Sequence, residues 1–209
     1  HLSTSAIAAL TTAQAKALTT ASINALTSAQ VTAIETADLA AMSTAQLSKL
    51  GTAQVAQLTS VQVAALTSGQ VKSLNSDQVA ALTSAQLNAL TSSQLPSLST
   101  AQVRALTTDQ LSKLTTTQIV GLSTAQVAAL RTGQVAALTS VQINALASDD
   151  LKALTTTQVR ALTSDQLSKL SSDQIALMAT DDIAALGTGQ ISHLSTSAIA
   201  ALTTAQAKA

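Results

Sequence analysis

The nine residues LTSVQVAAL, Leu58 to Leu66, contain one complete unit of this chain and the first residue of the next. Stepping by eight from Leu2 meets Leu at every stop except Ile34, Met42 and Met178, and 26 such octets (26 × 8 = 208) run from Leu2 to Ala209. The consensus is L-[ST]-[ST]-x-Q-[VIL]-x-A. With Leu as position one, position five is Gln in 20 of 26 octets, from Gln14 to Gln206, and position six is Val, Ile or Leu except at Ala15 and Ala207. A period this strict has to be interpreted before any local propensity. Residues 1–209 therefore read as a single continuous octapeptide-repeat array, with no linker and no separate domain.

The number eight restricts the backbone. In one long helix, eight residues advance about 800°, so the Leu stripe would rotate about 80° per octet and no partner helix could follow it. In an uninterrupted strand, Leu at position one and Val at position six have opposite parity and would point to opposite faces. The spacers, rich in Ala, Gln, Lys and Ser, also suit strands poorly. A bent rung would restore the parity, which keeps a β-solenoid as the competing reading. The remaining solution is a short helix in every octet, with the chain turning a corner between them.

Three local signals favour that solution. Positions two to five have the capping-box pattern, as in Thr59 with Gln62 and Thr83 with Gln86: the hydroxyl accepts from an orphan N–H while Gln reaches back to the cap's own N–H. Leu at position one and the aliphatic at position six stand as N′ and N4, the spacing of a hydrophobic staple. Charge is sorted as well. All ten acids (Glu35, Asp38, Asp77, Asp109, Asp149, Asp150, Asp165, Asp173, Asp181, Asp182) lie at positions two, four or five, and nine of ten bases lie at seven or eight, with Arg131 the exception. Acids at a helix start and bases at its end each gain about 0.3–1 kcal/mol from the backbone dipole.

Two features oppose this reading. Pro96 falls at position seven, inside the expected helix, where it removes a hydrogen bond. Helices of about six residues are also unstable alone in water, so packing between neighbours has to hold them. A weaker rhythm suggests how they pack. Most departures from Ala at position eight recur every 24 residues (His1, Lys49, Ser73, Ser97, Gly121, Lys169, His193), and the caps that follow them are mostly Ser, Asn or Gly rather than Thr. The expected fold is all-α: a solenoid of short capped helices, one per octet, with three octets per superhelical turn. Leu at position one and the aliphatic at position six face inward. Adjacent turns lie on the order of 8–10 Å apart.

Composition agrees with a slender structure. The 209 residues include no Phe, Tyr or Trp, so aliphatic side chains do all the packing. Net charge is zero and only 10% of residues are charged, which gives no pull toward nucleic acid. No apolar run is long enough for a membrane span. With no cysteine there are neither disulfides nor thiolate metal sites. Residues 1–17, HLSTSAIAALTTAQAKA, reappear unchanged as 193–209, although other octets vary freely. The offset (193 − 1 = 192 = 8 × 24) marks a larger tandem repeat that keeps the 24-residue register. The chain is therefore expected to be a piece of a longer array.

No catalytic, cofactor-binding or metal-ligating residue is expected. The two histidines, His1 and His193, are one position met twice, with no second ligand at metal spacing. Asp149–Asp150 and Asp181–Asp182 lack the glycine-rich nonapeptide of calcium-binding β-rolls and read as partners of helix N-termini. No serine lies in a G-x-S-x-G elbow, and the pair Gly187 and Gly189 is not followed by the Lys of a phosphate loop. Gln at position five serves capping, ladders between turns, or both; the sequence does not separate these roles. No enzyme activity, small-molecule substrate or nucleic-acid partner is expected.

The motif, written out twice in LSTAQVAALRTGQVAAL from Leu122 to Leu138, resembles the octapeptide tracts of very large repetitive bacterial surface and adhesin-like proteins. The resemblance covers the whole chain. It implies secretion, a location outside the bacterial cell or on its surface, and an extended stalk or filament role. The expected function is thus a structural extracellular fibre or stalk that continues by tandem repetition or self-association. The alternative is a binding module whose regular Ser/Thr array recognises ice, glycan or a repetitive partner.

Overall fold

The structure is a computed structural model that describes residues 2–209; His1 lies outside the described residues. Among these there are 25 short α-helices and one 3-10 helix, one element in each octet, and no strand. The β-solenoid reading is thereby excluded. Two compact units are present, residues 2–106 and 107–209.

The helix Ser68–Ser73 shows how one octet folds. Leu66 (φ −62°, ψ 144°) and Thr67 (φ −72°, ψ 156°) are both extended and make the corner. The first α-helical bond runs from Val71 N to Thr67 O at 3.0 Å, and the last turn tightens, Leu74 N donating to Val71 O at 3.3 Å. The helix ends because Leu74 is again extended, and the next corner begins. A corner built from two residues with φ near −65° needs no left-handed residue, and no described residue has positive φ. Leu-Thr can therefore serve where a helix stop would commonly need Gly.

Packing supplies what such short helices lack. In the first unit, helix Thr12–Ala17 packs on Thr36–Ala41, that one on Ser60–Ala65, and Thr52–Gln57 on Ser76–Ala81. In the second unit, Thr116–Val120 packs on Ser140–Ala145, which packs on Ser164–Lys169. Each partner starts 24 residues later, so within each unit a turn is three octets. Position six is buried in every octet with an aliphatic side chain there, apart from half-buried Ile191 and exposed Ile199 near the C-terminal end, and position one is buried from Ile34 to Leu194. Each octet thus contributes one Leu-sized and one Val-sized side chain to the core, roughly 1.5–3 kcal/mol apiece before chain entropy.

Pro96 is absorbed by a local change of helix type. Its octet forms a 3-10 helix, Leu95–Ser97, with Ser97 N donating to Gln94 O at 3.1 Å and Leu98 N to Leu95 O at 3.2 Å. Leu95 and Leu98 stay buried and Gln94 keeps its place, so the register survives. Pro96→Ala is expected to return this octet to α-helix and raise stability by about 1–3 kcal/mol, read from the denaturant midpoint.

Candidate functional site

The most repeated chemical feature is the side chain at position five. Gln62 is 2% exposed and both ends of its amide are engaged. Its Oε1 accepts from Thr59 N at 2.8 Å, and Thr59 Oγ1 in turn accepts from Gln62 N at 3.1 Å, completing the capping box. Its Nε2 donates to Val31 O at 3.0 Å, Thr32 O at 3.2 Å and Ile34 O at 2.8 Å. Those carbonyls lie 28 to 31 residues earlier, at the end of the helix four octets back. Val31 O also accepts from Ile34 N at 3.2 Å, whereas carbonyls of a helix's last turn commonly lack an internal partner. One glutamine therefore closes the start of its own helix and the end of a helix in the turn below.

The same clasp recurs through both units. Gln70 reaches Leu39 O, Ala40 O and Met42 O, and Gln102 reaches Val71 O, Lys72 O and Leu74 O. In the second unit Gln142 reaches Leu111 O, Ser112 O and Leu114 O, and Gln206 reaches Ile175 O, Ala176 O and Met178 O. The capping and ladder roles, inseparable in sequence, are one interaction. At Gly51, Arg131 and Gly187 the cap supplies no side-chain acceptor, and only the glutamine half of the box remains: Arg131 N, for example, donates to Gln134 Oε1 at 2.8 Å.

Three octets carry Asp at position five, and these behave differently. Asp38, Asp150 and Asp182 are 4–5% exposed. Each accepts a hydroxyl from position three of the octet three back: Thr12 Oγ1 to Asp38 at 2.7 Å, Thr124 to Asp150 at 2.9 Å, Thr156 to Asp182 at 2.8 Å. Their cap positions hold Glu35, Ala147 and Ala179, none of which caps with its side chain. A carboxylate has no N–H for the carbonyls below, so the clasp is missing there. The pairs Asp149–Asp150 and Asp181–Asp182 thus split: Asp149 and Asp181 are exposed at helix starts, whereas the second carboxylate of each pair is buried against a threonine. The sequence signal for this was the loss of Ser or Thr from the cap whenever position five is Asp.

His193 is exposed. Among the described residues no three His, Cys, Asp or Glu side chains gather where they could hold a metal ion. Lys152 pairs with Asp149 at 3.7 Å, between solvated side chains of one helix. Two shallow clefts are lined by Leu2, Leu18 and Leu26, and by Ile183, Leu186, Ile191 and Leu202; neither has an ionisable side chain in its lining. No described helix is long and apolar enough to cross a membrane.

Comparison with known proteins gives one family. Its model, described as the ALTTAQ repeat, matches residues 31–68, 65–92, 85–116, 111–140, 143–180 and 175–209. No curated protein matches the chain significantly.

Proposed function

The chain belongs to the ALTTAQ repeat family, and from that premise we propose that it is an architectural protein: a stretch of bacterial extracellular fibre or stalk, without catalytic activity, whose repeats span distance. The observation that carries this reading is where the polar side chains go. The buried polar residues at position five are Gln or Asp throughout, and none is left with an unpartnered buried atom. Chemistry that an enzyme would aim at a substrate is here consumed in holding turn upon turn. Stability should accumulate with repeat number, as expected of a one-dimensional array.

Electron microscopy of the native material tests the proposal. Long filaments or stalks at the cell surface are the expected result. Short isolated particles inside the cell would contradict it.

A second reading, a binding module, draws on one feature. Ser and Thr at positions two and three are mostly exposed and recur at each turn, as with Thr59 and Thr83. Such an array could meet ice, glycan or a repetitive partner. Measurable thermal hysteresis or glycan binding would favour it over the fibre.

A further inference from the structure

Glutamine clasps are unevenly distributed in the second unit. Octets from Leu106 to Ala145 all carry Gln at position five: Gln110, Gln118, Gln126, Gln134 and Gln142. Beyond them, three of the eight octets from Leu146 to Ala209 carry Asp150, Asp182 or Ala198 instead. Two of those three also have Ala caps, Ala147 and Ala179, with no side-chain cap bond. Gln158 and Gln166 keep three-carbonyl clasps, but two others in the stretch are thinner. Gln174 reaches only Asn144 O and Leu146 O, the latter at 3.3 Å, and Gln190 is half-buried and reaches only Arg160 O and Leu162 O.

Each missing clasp has two consequences. The helix start loses its box, and the carbonyls four octets back lose an amide donor: Ile119, Val120 and Leu122 for Asp150, and Leu151, Lys152 and Leu154 for Asp182. In exchange comes one hydroxyl-to-carboxylate bond, Thr124 to Asp150 or Thr156 to Asp182. Since the hydrophobic positions continue unchanged through the stretch (Leu151, Leu154, Val159, Leu162, Leu167, Leu170 and Ile175 are all buried), the polar clasp is what differs.

We propose that residues 147–185 are a yielding segment, which opens locally while octets 107–145, whose helix starts are all closed by a glutamine, stay closed. Proteins open in cooperative pieces whose order follows local bonding. In a stalk under tension, this segment would lengthen first and protect the rest. That use rests on the fibre reading. The opening itself does not, since it is measured on the isolated chain and the fibre on native material, so either can fail alone.

Hydrogen exchange read by mass spectrometry on the full chain tests it. Amides in 147–185 should exchange at least about tenfold faster than those in 107–145, given net contributions near 1 kcal/mol per hydrogen bond. A variant that restores both boxes (Ala147→Thr, Asp150→Gln, Ala179→Thr, Asp182→Gln) should slow exchange in 147–185 by at least about tenfold and leave 107–138 unchanged outside the helix end 119–122, which the amide introduced by Asp150→Gln would reach. The converse variant, Thr139→Ala with Gln142→Asp, should speed exchange around 139–146. Uniform protection across the unit would overturn the proposal. So would a gradient that the restoring variant does not alter, because fraying from the chain end would then account for it.

Discussion

Gln62→Glu should destabilise the first unit by about 3–5 kcal/mol at neutral pH, although the side chain keeps its length and shape. The oxygen facing Thr59 N can still accept, so the helix start is little affected. The damage is at the other atom. An amide nitrogen that donates to Val31 O, Thr32 O and Ile34 O at 2.8–3.2 Å becomes an oxygen facing three oxygens. At 2% exposure no water can rescue it. The new carboxyl should resist ionisation in the folded state, raising its folded pKa above the usual value for Glu. The deficit is therefore smallest where the unfolded chain is also protonated, below about pH 4, and grows as pH rises. Urea midpoints at two pH values would measure both. A deficit under about 1 kcal/mol would show that the cross-turn bonds contribute little.

Leu87→Ala should cost about 2–5 kcal/mol, comparable to the first. Leu87 is fully buried at position six of helix Ser84–Asn88, which packs on Ser60–Ala65. With no aromatic side chain nearby to collapse into the space, the cavity should persist. The neighbouring Val61 is 69% exposed, and Val61→Ala should stay within about 0.5 kcal/mol. The contrast between two aliphatic truncations, on helices that touch, separates loss of core from loss of apolar surface. Unchanged m-values would show that the unfolded state is not responsible.

The parts of this fold that are local in the chain were legible in sequence. The mismatch of eight with both 3.6 and 2 requires a corner per octet, and Thr67 with Gln70 makes the box its spacing suggests. The 24-residue rhythm at Lys49, Ser73 and Ser97 matches the three-octet packing. What stayed hidden depends on the rise of one turn over another, which no local pattern encodes. Gln62 touching Ile34, 28 residues away, is one case. The buried pairing of Asp150 with Thr124 is another: beside Asp149 it looks like a second surface acid, and only the path of the chain buries it. Pro96 was legible as a disturbance but not in its resolution, because a 3-10 turn can keep Leu95 and Leu98 in place while omitting one hydrogen bond.

The return of the chain onto itself every 24 residues is open to one direct measurement. The sequence has no cysteine, so paired spin labels can be placed cleanly at exposed positions 61, 77 and 85. Electron paramagnetic resonance should find the 61–85 pair close, on the order of 10–15 Å, as expected for labels on helices packed side by side. The 61–77 pair, though nearer in sequence, should be farther apart. A 61–85 distance exceeding the 61–77 distance, as along an unbroken helix where 24 residues span about 36 Å, would contradict the three-octet turn.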